Sequence, residues 1–421
     1  MLFMALNFAD KSVIGLAAPP MMADLGLTAT EYGTIASSFY LLFSVSAIAF
    51  GFLGNRFSGK WLLAGLAVVW SVAQLPVMIP AAGFAVLLIT RVLLGAGEGP
   101  GLPLGVHNAF TWVPPKSRGL TAALLTVGSA LGVIVGAPLL NAAIHGLGWR
   151  SAFGILGLLG LMWVAAWLLV GGDGPYAERG RPPAGGEAGI GTGGAAAGWP
   201  PTYRAMLGTG TWLGTLASGF AVYWGLAVAI AFLPLYFGKV GYGPTTIGFL
   251  VTFPAYLSAA GMLLGGWLSQ RLIKRGVSRH LAQGMFGGAF AVISGLSMLG
   301  MTRFDSPWLA LPLAALAFGV GNSQTPLSQA AVADTVPARR RGAVLGLWYA
   351  LVSTASIVAP TVTGMLVDAA PVPLVGYGWA FDLAGAMAVV GGLIAVFVVR
   401  PDRDAARIGG DAPAREPAQA A

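Results

Sequence analysis

The chain has 421 residues, 56% hydrophobic and 9% charged, with a net charge of +8 and no cysteine. A soluble domain carries about 25% charged residues, so a water-soluble globule of this size is excluded. The missing cysteines also exclude disulfides, a thiolate nucleophile and Cys-ligated metal.

Apolar runs of membrane-spanning length, about 20 residues each, repeat down the chain. Twelve are centred near residues 12, 42, 70, 98, 131, 160, 222, 256, 291, 320, 354 and 387. With the N-terminus placed in the cytoplasm, 18 of the 23 Lys and Arg residues fall in cytoplasmic loops and termini. Only Arg150, Lys239 and Arg303 fall on the opposite side. This is the positive-inside bias. The basic excess is therefore a topology signal, not a nucleic-acid surface, and both termini are expected in the cytoplasm of a multi-pass protein of the cytoplasmic membrane.

The first run, Met1–Met22, contains the adjacent charges Asp10 and Lys11. It has no charged n-region, which argues against a cleaved signal peptide. No basic anchor precedes it either, so the natural start is expected upstream of Met1. The fourth run contains Arg91 and Glu98, seven residues apart, which returns them to one helix face about 10 Å apart along the axis. Gly95, Gly97, Gly99 and Gly101 surround Glu98 and permit close approach of a neighbouring helix or substrate. Two readings stay open for this pair. It either pins helices together, or Glu98 exchanges a proton under the influence of Arg91.

A charge at the bilayer centre costs about 2.5–3.5 kcal/mol, so Asp10, Lys11, Arg91 and Glu98 are the leading candidates for function. Asp10 and Lys11 diverge by about 100° on a helix. Lys11 is expected to attract an anion, and Asp10 to turn toward the Arg91 and Glu98 group. His107, half a turn round from Glu98, is expected in core packing. Asp382 in the twelfth run is expected to bond between helices.

Residues 171–201 hold eleven Gly and five Pro, a composition that reads as a flexible linker. The expected organisation is an N-terminal six-helix bundle at 1–172, a cytoplasmic linker at 173–205, a C-terminal six-helix bundle at 206–400 and a disordered tail at 401–421. The halves echo each other. "GFLGNR" (51–56) recurs as "GWLSQR" (266–271), and "VPPKSRG" (113–119) as "VPARRRG" (336–342), each after the matching helix. Such an internal repeat is how one large class of secondary transporters is built, with the substrate site near the midplane between halves. The fold class is thus an all-α membrane protein of twelve transmembrane helices in two pseudo-symmetric bundles.

"GFLGNRFSGK" resembles the loop motif between helices two and three of the major facilitator superfamily, and "RVLLGAGEGPG" (91–101) its fourth-helix signature. Asp10-Lys11 with Arg91 and Glu98 resembles the anion:cation symporter branch, which includes sugar-acid permeases and vesicular glutamate transporters. The resemblance implies alternating access and symport of a small organic anion with protons, with Glu98 and Asp10 carrying protons. It places Lys11, Arg91, Tyr40, Phe43, Tyr223, Trp224, Asn322 and Gln324 at the substrate, and Asn55, Arg56, Gln270 and Arg271 at the gate. Branch members usually have Arg where this chain has Lys11, a planar fork replaced by a point charge. Asn55 and Gln270 stand where a carboxylate helps to latch the gate. Phe43 falls where sugar-acid permeases carry a tyrosine, which weighs against a hydroxylated sugar acid.

"GVIVGAP" (132–138) resembles sequences of exporters in the same superfamily, so a proton-driven exporter or drug antiporter is the competing reading. A membrane-embedded enzyme or a non-transporting sensor is weaker still. "GAGEG" (95–99) follows no strand and is no dinucleotide loop, and no Ser/His/Asp, P-loop or metal-ligand pattern appears. No enzyme activity, cofactor, metal or nucleotide is expected, and the protein is expected to work as a monomer.

Overall fold

The protein, seen in a computed structural model, is described over residues 1–53, 57–114, 118–175, 203–304 and 307–408. The first half comprises α1 (Leu2–Leu25), α2 (Ala29–Leu53), α3 (Gly59–Gln74, extended by a 3-10 turn Leu75–Met78), α4 (Phe84–Glu98) continuing into α5 (Gly101–Phe110), α6 (Arg118–Leu147) and α7 (Trp149–Val170). A short α8 (Tyr203–Leu207) precedes the second half. That half comprises α9 (Gly210–Val240), α10 (Pro244–Leu250) with α11 (Phe253–Lys274), and α12 (Phe286–Met301), which a π-turn (His280–Met285) leads into. It continues with α13 (Pro307–Gly319) and α14 (Gln324–Thr335), joined by a 3-10 turn (Val320–Ser323), then α15 (Ala338–Ser353) with α16 (Ala355–Ala369), and α17 (Pro373–Val398).

Taken as rods, these make six spans in each half, centred where the apolar runs are. Several rods are jointed at Pro or Gly. Pro100 separates α4 from α5, and Pro254 opens α11 just past the joint at Thr252. Proline lacks the amide that would continue the helical ladder, so the joints are written in the sequence.

The halves meet along three seams: α1 on α9, α2 on α16, and α6 on α10 and α11. A two-fold operation that exchanges the halves converts the second seam into the third and maps the first onto itself. This is the geometry the internal repeat predicts. Contact is close because small residues stand at the seams. A Cβ at Gly15 would strike the Ile230 carbonyl, and one at Gly33 the Pro360 carbonyl. In lipid, where apolar side chains gain little from burial against one another, such backbone approach is what drives helix association.

The glycines around Glu98 admit neighbouring helices, as expected, and those helices belong to the same half. A Cβ at Gly95 or Gly99 would collide with the carbonyl of Phe39 or Phe43 on α2, and one at Gly97 with Trp70 on α3. They draw α4 into its own half, not toward the other half.

At the end that holds both termini, the expectation of a disordered tail needs correcting at its start. Pro401–Arg407 forms α18, and its fully buried Asp404 accepts hydrogen bonds from the Thr211 amide (2.7 Å) and hydroxyl (2.8 Å), capping α9. Burial opposes the charge there, but the bonds from Arg403 and Thr211 hold the Asp404 carboxyl below the usual carboxylate range. Arg279 ties α18 to α14 through Asp402 (2.6 Å) and Asp334 (3.1 Å). Most of the linker, and the tail beyond residue 408, lie outside the described residues.

Candidate functional site

Lys11 lies fourteen residues before the end of α1, and Glu98 fourteen residues after the start of α4. Both helix ends are at the face that carries the α1–α2 turn. At about 1.5 Å per residue, each charge sits about 21 Å below that face, so the two are level near mid-depth. Asn7, Asp10 and Lys11 recur at helical spacing on α1, and the packing of α1 against its own half buries the first two completely: Asn7 is 1% exposed and Asp10 0%. Glu98 is 1% and Arg91 3% exposed.

The Lys11 ammonium is the hub. It donates to Asn7 Oδ1 at 2.8 Å and stands 3.7 Å from Glu98 Oε2. The rings of Phe8 and Phe43 face it, with centroids at 4.3 and 5.0 Å. Asp10 diverges from Lys11 as expected, but its Oδ1 accepts from Gln74 Nε2 of α3 at 3.1 Å rather than from the Arg91 and Glu98 group. Arg91 makes no ion pair with Glu98 among the described residues. Its guanidinium lies over the Phe153 ring at 4.9 Å, about two turns closer to the turn face, with Nη2 unpartnered. The ion-pair partner of Glu98 is Lys11.

Lys11, Arg91 and Tyr40 nevertheless border one cavity between the halves, closed on the other side by the apolar Ala227, Ile230, Ala231 and Pro360. Its volume is ≈ 20 Å³, room for about one water molecule. An organic molecule does not fit in this cavity as it stands. Larger hollows of ≈ 670 and ≈ 330 Å³ exist, but their linings are almost wholly apolar and hold no charged residue.

The other expected substrate residues divide. Phe43 is buried beside Lys11, and Tyr40 packs edge-on against Phe39. Tyr223 packs edge-on against Tyr349 with centroids 5.9 Å apart. Trp224 belongs to the apolar core. Gln324, wholly buried, donates to Ser218 (2.5 Å) and Ser328 (2.6 Å), tying α14 to α9. Asn322 is half-buried. None of these last four borders the inter-half cavity. His107 is exposed, not packed in the core. Asp382 pairs with Arg303 at 2.8 Å, joining α17 to the end of α12. Sequence reasoning missed Asn7, Phe8 and Gln74; the first two stand within one turn of Lys11, but Gln74 carries no local signal.

Of the expected gate, Asn55 and Arg56 lie outside the described residues, Gln270 is exposed, and Arg271 lies over the Trp267 ring at 5.1 Å. A tie that the sequence did not announce stands at the opposite face. Asp368, in the last turn of α16, accepts from the Ala29 amide (3.0 Å), the Thr30 amide (2.7 Å) and the Thr30 hydroxyl (2.6 Å) at the start of α2. A carboxylate on a helix N-terminus is favoured by both the free amides and the helix dipole. Deeper, Ser37 bonds Thr361, Tyr32 donates to the Ala231 carbonyl at 2.7 Å, and Ser44 meets Ser353. Asp368→Ala should loosen this face. Because the chain has no cysteine, an introduced Ala36→Cys can report it. We expect thiol labelling there to quicken about fivefold, equivalent to losing ~1 kcal/mol of hydrogen bonding. An unchanged labelling rate would show that Asp368 is no latch.

The Major Facilitator Superfamily family model matches residues 1–323 and 284–420. The chain belongs to that superfamily, a family of transporters rather than enzymes, and is a multi-pass membrane protein. It is 29% identical to the hexuronate transporter of Bacillus subtilis (strain 168), over 95% of this chain and 93% of that one. It is 27% identical to a probable sulfoacetate transporter of Cupriavidus necator, over 93% of this chain and 90% of that one. These relatives match the anion:cation symporter branch. A bacterial homologue of the human lysosomal transporter Spinster has the same fold, with TM-score 0.72 at 19% identity, covering 97% of this chain and 95% of that one.

Proposed function

We propose that this transporter moves a small organic anion across the cytoplasmic membrane together with protons, by alternating access, with both termini in the cytoplasm. The observation that carries the reading is the Lys11–Glu98 pair beside a cavity shared with Arg91. Two cations border that cavity, and one of them is already engaged by a carboxylate. An arriving anion competes with Glu98 for Lys11. Glu98 without its partner is a buried charge with no compensation, a costly state that a proton relieves. Anion and proton are then loaded together, and the halves at 1–172 and 206–400 rock around the filled site. When the anion leaves, Lys11 recaptures Glu98 and expels the proton, which resets the carrier. Asp10, held by Gln74 on the far side of α1, serves as an accessory proton site. Names of relatives speak for carboxylates and sulfonates, and Phe43 with the apolar opposing wall speaks for a substrate with few hydroxyls. The test is uptake by proteoliposomes of labelled anions, graded from acetate and sulfoacetate to hexuronates, with and without an inwardly directed proton gradient. Accumulation of at least one anion that collapses with a protonophore is expected. Uptake indifferent to the gradient for every anion would overturn the coupling, and gradient-driven loss of preloaded anion would favour export.

A further inference from the structure

We propose that Asn7 is a positioning residue for Lys11, and that with Phe8 and Phe43 it forms a neutral seat for the ammonium. The seat keeps Lys11 charged and in place whether or not Glu98 is ionised. This rests on the reading of Lys11 as the partner of the anion. In the cycle above, Lys11 passes between two counter-charges, Glu98 and the substrate anion, and during each hand-over the partly buried ammonium is without a close anion. An unpaired buried ammonium would either lose its proton or swing out of the site. Neither happens if other groups stabilise the cation without competing for it as a carboxylate does.

The groups around Nζ have this character. Asn7 Oδ1 takes one of the three N–H donors at 2.8 Å, shorter than the 3.7 Å to Glu98, so the hydrogen bond belongs to the neutral amide and not to the acid. The Phe8 and Phe43 rings present their faces at 4.3 and 5.0 Å, where the ring quadrupole attracts a cation. Asn7 and Phe8 come from the same turn of α1 as Lys11, so the seat travels with the lysine when the halves rock. Asn7 is 1% exposed, and no solvent competes for its oxygen. The seat also suits an ammonium in particular. A guanidinium spreads five N–H donors in a plane, more than one oxygen and two ring faces can satisfy.

The test reads the ammonium itself. Full-length protein labelled with ¹⁵N-lysine in lipid nanodiscs should show a proton-protected NH₃⁺ resonance that disappears in Lys11→Met. Its protons should lie upfield of the free-lysine position, because they sit over ring faces. Asn7→Leu, similar in size but without an acceptor, should speed their exchange with water about tenfold, the factor for losing one charge-assisted hydrogen bond. Asn7→Asp keeps an acceptor oxygen and should preserve the protection, which a residue that only fills space would not distinguish from leucine. Phe43→Leu should move the resonance downfield, and this arm stands if Asn7→Leu fails to fold. Parent-like exchange in Asn7→Leu, or a resonance unmoved in Phe43→Leu, would overturn the seat. None of these readings needs transport. Normal anion uptake by Lys11→Met would sink the transport role of Lys11 while leaving the seat intact.

Discussion

Lys11→Met will abolish anion uptake, lowering it by at least about thirtyfold, the equivalent of ~2 kcal/mol and the lower range for removing one member of a buried charge pair. Two separate losses follow from the geometry. The cavity is left with Arg91 alone, about two turns away and stacked on Phe153, so an anion at mid-depth meets no ammonium. Glu98, 1% exposed, also loses its ion-pair partner, which in a buried site costs about 3–5 kcal/mol if the acid stays charged. The second loss could mimic the first by unfolding the protein, and a double variant separates them. In Lys11→Met with Glu98→Gln, both members of the pair are gone and neither charge is stranded by loss of the other, so thermal stability should return to near the parent value while uptake stays absent. If uptake returns along with stability, Lys11 is a structural partner of Glu98 and nothing more.

Glu98→Gln alone should divide the transport cycle. Glutamine has the shape of the protonated acid but cannot release a proton. The loaded carrier should still form, and labelled anion inside should still exchange for unlabelled anion outside at a rate within a few-fold of the parent. Net accumulation against a gradient should vanish, because it requires the empty carrier to expel a proton and reset. Exchange should also lose its pH dependence where that dependence comes from Glu98. Asp10→Asn should weaken accumulation less, since Asp10 bonds Gln74 and does not touch the Lys11 ammonium. Parent-like accumulation in Glu98→Gln would assign the proton to another group. Asp10, the other buried carboxylate of this network, would be the first to examine.

Much of this architecture is legible in the residues because lipid enforces it. Every backbone amide in the bilayer needs a partner within its own helix, so each apolar run of sufficient length becomes a rod. Charge cost makes Asp10, Lys11, Arg91 and Glu98 conspicuous for the same reason. Partner choice is another matter. Helical period alone pairs Arg91 with Glu98, but the ion pair runs between α1 and α4, from Lys11. The glycines of α4 announce a close approach without naming the neighbour, and the structure shows that they seat α4 against the carbonyls of α2. Helical period tells which residues share a face, not which neighbour the face meets.

Length, composition and the positions of charges by themselves determined that this protein is a twelve-span, duplicated bundle with Asp10, Lys11, Arg91 and Glu98 inside the spans of the first half. These follow from the cost of moving polar groups into hydrocarbon, and that cost is a property of each segment alone. Only the tertiary structure decided that Glu98 and the Phe43 ring meet the Lys11 ammonium, that Gln74 takes Asp10, and that Asp368 caps α2 from 339 residues away. Such contacts join rods whose relative rotation and depth no segment contains, so they exist only once the helices are packed.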